Sequence, residues 1–197
     1  MKLCLLCIPL VALTFLASAQ KGGDKKPESP NMADMMAAMQ KAGTPGAQHK
    51  ALDGFVGTWS AKVSMWMDPS APATESTGTM VTKWIYGGRY LEQKFEGDMM
   101  GQKFEGTSLW GYDIAAGNYV GIWIDSMGTA ISSSTGGMSK DGKSFTMSNT
   151  CTDPMTGKPA TGEEVIKIDS PTSHSMTMYE TKDGKKVKSM EIVYTKK

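Results

Sequence analysis

The chain has 197 residues, with 21 Lys+Arg against 20 Asp+Glu, a formal net charge of +1, and 40% hydrophobic and 21% charged residues. No basic excess marks a nucleic-acid binder and no acidic block marks a solvating tail, so the composition suits a globular domain rather than a disordered chain. The length allows one domain of roughly 150 residues plus extensions.

The first residues predict a compartment. Met1 and Lys2 open a short positive segment, residues 3–16 form an apolar run, and Ala17-Ser18-Ala19 supplies the small-x-small pattern of a signal-peptidase site. A membrane span needs about 20 apolar residues, more than this run offers. A signal peptide over 1–19 is therefore expected, with an exported, periplasmic or extracellular product that has no transmembrane segment after cleavage. Its removal takes Lys2, which leaves basic and acidic residues in balance. Cys4 and Cys7 go too, leaving Cys151 alone, so no internal disulfide is available and stability must come from the core. Period two puts Cys151 on one strand face with Phe145, Met147 and Asn149, where it reads as a buried small hydrophobe.

Residues 20–50 are expected to form a flexible linker carrying a short Met-rich helix. Residues 20–30, with Gly22, Gly23, Pro27 and Pro30 among charged and polar neighbours, have little to bury. Asn31 then caps a helical pattern in which Met32, Met35, Met36 and Met39 fall on one stripe, ended by Gly43, Pro45 and Gly46. The stripe reads as a docking helix or lid. Cu(I) binding by soft thioethers is the alternative, and His49 lies beyond the Gly/Pro break.

From Phe55 onward, apolar residues alternate and turn signals recur about every 8–12 residues, the pattern of an antiparallel all-β domain over 51–197. The first strand, 56–67, puts Trp59, Ala61, Val63, Met65 and Met67 on one face. Strands 77–86 and 89–97 follow around Gly87-Gly88. Gln93-Lys-Phe-Glu-Gly97 recurs as Gln102-Lys-Phe-Glu-Gly106, which predicts two similar strands around the loop Asp98-Met-Met-Gly101. Further strands are predicted at 107–112, 118–126, 129–139, 144–152, 162–169, 173–181 and 186–195, with Asp141-Gly142 and Asp183-Gly184 as hairpin signals. About ten consecutive strands need closure to remove exposed edges, so the expected fold is a ten-stranded antiparallel up-and-down barrel, with a two-sheet sandwich as the alternative. A barrel of this size can hold a small ligand.

Gly57-Thr58-Trp59 at the head of the first strand resembles the Gly-x-Trp start of lipocalins and related calycin barrels, in which the Trp plugs one barrel end. Lipocalins set an Arg from a late strand against that Trp. Here the sole Arg is Arg89, so the resemblance implies Lys186 or Lys188 in that place. A longer resemblance covers most of residues 50–195. It is carried by Tyr86-Gly-Gly-Arg-Tyr-Leu-Glu92, Phe104-Glu-Gly106, Trp110-Gly-Tyr-Asp113, Tyr119-Val-Gly-Ile-Trp-Ile-Asp-Ser-Met127, Thr152-Asp-Pro-Met-Thr-Gly157, His174-Ser-Met-Thr-Met-Tyr179 and Met190-Glu-Ile-Val-Tyr194. These segments are similar to a bacterial exported family catalogued as a domain of unknown function (number fifteen seventy-nine). The resemblance implies a calycin-like barrel and carries over no catalytic residues.

No Gly-x-Ser-x-Gly, phosphate loop, His-Glu-x-x-His or Cys-x-x-Cys motif stands after position 19. With only His49 and His174, a three-His metal site within one chain is impossible. His174 is left as a single proximal ligand for haem, as in barrels resembling nitrobindin, or as a sheet residue; the glycine-rich opening of those barrels is missing here. No cofactor is assigned. Glu92 and Glu96 share a strand face with Lys94 and read as solvated; Asp113 and Asp125 read as turn caps, and Glu163 and Glu164 stand out no further. Arg89 is either a fork for an anionic headgroup or one half of a structural ion pair at the Gly-Gly turn. Aromatics alternate with glycines at Phe104, Gly106, Trp110 and Tyr112, and again at Tyr119, Gly121 and Trp123, a face that suits either a cavity wall or a filled core. The expected function is non-catalytic binding of a small apolar or amphiphilic ligand by Trp84, Trp110, Tyr112, Trp123 and His174, with Arg89 as polar anchor. The alternatives are an enzyme using the same cavity, for which no catalytic residues can be named, and an envelope interaction protein. The ligand's identity and the oligomeric state stay open.

Overall fold

The computed structural model describes residues 31–182 and 184–197. The expected signal peptide, the tether over 20–30 and Asp183 of the last hairpin signal lie outside the described residues. Asn31 caps α1 (Met32–Ala42), its Oδ1 accepting from the Asp34 N–H at 2.9 Å, and Gly43 ends the helix. No residue of α1 is buried, and its stripe methionines are 47–72% exposed. The stripe thus stands largely in solvent, and among the described residues no helix is long and apolar enough to cross a membrane.

Ten strands follow: β1 (Gly57–Met65), β2 (Thr74–Ile85), β3 (Tyr90–Met99), β4 (Gln102–Asp113), β5 (Asn118–Asp125), β6 (Ser132–Met138), β7 (Ser144–Thr152), β8 (Pro159–Ser170), β9 (Ser173–Lys182) and β10 (Lys185–Lys196). Each pairs antiparallel with its sequence neighbours, and β10 pairs with β1 to close the barrel, with Trp59 opposite Lys196 and Met65 opposite Met190. Closure satisfies every edge, which an open sheet of this length would leave exposed. The repeated pentapeptides fall opposite one another, Phe95 facing Gly106 and Gly97 facing Phe104. Their loop is tighter than the four residues expected: only Met100 and Gly101 turn, both at positive φ (54° and 78°), as a type I′ turn requires, and Asp98 Oδ1 accepts the Gly101 N–H. The predicted pieces 102–106 and 107–112 are one strand, β4.

Residues ahead of the first strand cover one end of the barrel. A four-residue helix, α2 (Ala47–Lys50), and a 3₁₀ turn (Asp53–Phe55) fold across one end and push Leu52 and Phe55 inside. Three wall aromatics fasten this plug: Trp59 Nε1 donates to Phe55 O, Trp84 Nε1 to Asp53 Oδ1, and the Tyr119 hydroxyl to Gln48 O, at 2.8, 2.8 and 3.1 Å. Leu52 and Phe55 pack with Leu91, Trp110, Tyr119, Phe145 and Met147 into one core cluster. A second cluster around Trp59, Val63, Met80, Phe95, Phe104 and Ile192 draws on β1, β2, β3, β4 and β10. The cation near Trp59 is neither Lys186 nor Lys188. Register brings Lys196 beside Trp59, its Nζ 5.3 Å from the ring centroid, while Lys186 lies over Tyr179 and Lys188 over Trp66.

Candidate functional site

Inward-facing residues of the strands enclose a cavity of about 480 Å³. The plug closes one end. At the other, the lining reaches Met99, Met127 and Glu180 at the strand ends, and Met127 is 58% exposed, so this is the mouth. Phe95, Phe104, Trp110, Trp123 and Tyr194 supply aromatic wall, and eight methionines, among them Met80, Met147, Met176 and Met178, supply most of the aliphatic wall. Thioether chains adapt to irregular space, which accounts for much of the chain's methionine.

The glycines have a different role from leaving room beside the aromatics. A Cβ on Gly106 would sit 2.1 Å from Trp123 Cζ2, and one on Gly78 2.3 Å from Phe95 Cζ. Each ring covers the backbone of a neighbouring strand at the place a Cβ would take. Trp123 is held there by its Nε1 donating to Asp125 Oδ2 at 2.8 Å and by stacking on Phe104 at 6.4 Å between centroids.

The six residues expected to form the site separate into two groups. Trp110, Trp123 and His174 line the cavity. Trp84, Tyr112 and Arg89 lie at the plug end, outside the lining. Trp84 is bonded to Asp53, and Tyr112 packs edge-on against Tyr119 and His49, so the plug occupies the space these rings face. Arg89 is exposed, and its Nη1 donates to Tyr86 O at 2.9 Å across the turn. Among the described residues it forms no ion pair, and it is not part of the cavity lining. His49 is buried beneath Tyr112, its Nδ1 accepting from the Gly46 N–H at 3.2 Å, and burial with the nearby Arg89 charge lowers its pKa. Among the described residues, no group of three or more His, Cys, Asp or Glu could hold a metal ion.

His174 sits on the cavity floor, stacked on Tyr194 at 4.5 Å and edge-on to Trp59 and Phe55 at 4.4 and 4.9 Å. Burial alone lowers its pKa to about 4, so the ring is neutral at pH 7. Burial, with the Glu164 charge adding to it, raises the Tyr194 pKa and keeps its hydroxyl protonated.

Glu164 was not distinguished from the other carboxylates by sequence, and here it departs from them. It faces the cavity from the middle of β8, beside Met147 of β7 and Met178 of β9, and accepts from Asn149 Nδ2 at 3.2 Å. Desolvation outweighs that bond and raises its pKa. Parity held the signal, because Gly162, Glu164, Ile166 and Ile168 share one face of the strand. Asp113 and Asp125 do cap turns, accepting from Ala115 N–H and Met127 N–H. Cys151, half-buried, lines the cavity on the face predicted for it.

A closed, ten-stranded, calycin-like barrel with a plugged base and a hollow, largely apolar interior is the class these features define. The chain belongs to the family described as "Protein of unknown function (DUF1579)", whose profile matches residues 44–196, plug included. Comparison with curated proteins returns no match. Among solved structures it is similar to Rv2717c from M. tuberculosis, with a TM-score of 0.59 and 13% identity over 78% of this chain and 99% of that one, which is a likeness of fold. A redesigned β barrel aligns at a TM-score of 0.41, with 15% identity over 75% of this chain and 95% of that one.

Proposed function

We propose that this protein binds a small apolar or amphiphilic ligand inside the barrel, without catalysis. The observation that carries the reading is the cavity of about 480 Å³ between the plug and the strand ends, walled by Trp123, Phe104, Phe95 and methionines, with Trp123 and Phe95 seated over glycine. Volumes of about 300–1,000 Å³ with apolar walls and few polar groups are what small-molecule sites use. Export to the periplasm or beyond belongs to the same proposal and is supported by the signal-peptide pattern over residues 1–19. The test is native mass spectrometry of protein purified from its own host, together with titration by N-phenylnaphthylamine, a probe that fluoresces in apolar sites. A co-purified small molecule, or saturable probe binding that quenches Trp fluorescence, is the expected result. The absence of both signals would defeat the reading.

A further inference from the structure

Four carboxylates reach the cavity, Asp98, Asp125, Glu164 and Glu180, and no Lys or Arg does among the described residues. Two of the four serve turns: Asp98 accepts from Gly101, and Asp125 from Trp123 Nε1 and Met127. Glu180 lies at the mouth within 3.8 Å of Lys182. Glu164 differs from all three. It stands mid-strand among methionines, with Asn149 as its only hydrogen-bond partner among the described residues. A carboxylate so placed is poorly solvated and has no counter-charge, and a cation entering the cavity would relieve both conditions. A fatty-acid anion would meet four acidic groups and no base. Independently of Glu164, two cavity-lining nitrogens, His174 Nδ1 and Trp110 Nε1, are buried without a protein partner among the described residues, on side chains 6% and 5% exposed, so the interior holds polar atoms that the protein itself does not pair.

We propose that the guest is a lipophilic amine, its ammonium group held against the Glu164 carboxylate and its tail along the methionine and aromatic wall. This names the ligand class for the cavity and rests on the cavity being a binding site. The test is displacement of N-phenylnaphthylamine from the full chain at neutral pH by three molecules of equal tail length: dodecylamine, dodecanol and dodecanoic acid. Dodecylamine is expected to displace at concentrations about tenfold or more below the acid, and ahead of the alcohol. Glu164→Gln is expected to weaken dodecylamine about tenfold or more while leaving dodecanol within about twofold, which also shows that the variant folds. If the acid or the alcohol matches the amine, or Glu164→Gln keeps the amine preference, the amine assignment falls and ligand binding stands. If the probe binds nowhere and none of the three associates, ligand binding falls with it. Should Glu164→Gln not fold, the order of the three molecules on the unaltered protein decides.

Discussion

At His174 the imidazole is held between Phe55, Trp59 and Tyr194, with no charged group against it, and its pKa stands near 4. The unfolded chain would protonate this ring near pH 6.5, so between that value and about 4 the unfolded state takes up a proton that the folded state refuses. Stability from this residue is therefore complete above about pH 6.5, falls as the pH drops, and levels off below 4, a loss of about 3 kcal/mol. Glu164 acts in the opposite sense. Its raised pKa lets the folded state keep a proton that the unfolded state releases, so its contribution is present at low pH and is lost as pH rises through the folded value. His174→Phe should flatten the decline of melting temperature between pH 6.5 and 4. An unchanged pH profile in the variant would show that the acid sensitivity arises elsewhere. Exposed turn aspartates such as Asp141 and Asp153, held below the usual range by hydrogen bonds from Ser139 and from the Met155 N–H, act at lower pH and cancel between the two proteins.

Within the elements, the pairing of glycine with a ring across neighbouring strands is the device that sets the cavity's shape. Gly106→Ala puts a methyl group where Trp123 lies, so the indole must swing toward the axis. The expected cost is about 1–3 kcal/mol of stability, together with weaker N-phenylnaphthylamine binding as the ring fills the hollow. Gly137→Ala, at a site with nothing within 4 Å, is the control and should alter neither thermal stability nor probe affinity. The strands themselves were legible where alternation is clean, as in β1: Trp59, Ala61 and Val63 point in and Ser60 and Lys62 out, as period two requires. The plug was not. Helical pieces of four and three residues carry no period, and Leu52 and Phe55 become interior only once a barrel end exists for them to fill. The same holds for the site. Trp123 and Trp110 were legible as inward aromatics, but whether Trp84 and Tyr112 meet a ligand or a plug depends on how residues 47–55 fold back, a tertiary fact with no local signature. α1 was legible from its cap and stripe, yet it brings no packing to the barrel. Met35→Glu with Met39→Glu should leave the melting temperature unchanged within about 0.5 kcal/mol of stability, and a clear destabilisation would reveal a contact for the stripe.

For the molecule as a whole, closure depends on residues far apart in the chain. β1 is flanked by β2, which follows it directly, and by β10, which ends at Lys196. The last backbone bond of the seam runs from the Lys197 N–H to Thr58 O, across nearly the whole domain. All other neighbours are hairpins, local and quick to form, whereas this seam brings together segments separated by more than a hundred positions, and such contacts are slow to form. Until β10 arrives, β1 and β9 each present a bare edge, Phe55 and Leu52 have no closed end to enter, and the interior is an open trough of methionine and aromatic surface. During that interval the chain is most exposed to association with its own copies and with chaperones. The closed barrel thus makes folding close to all-or-none in time: the hollow interior does not exist until the last strand has been made.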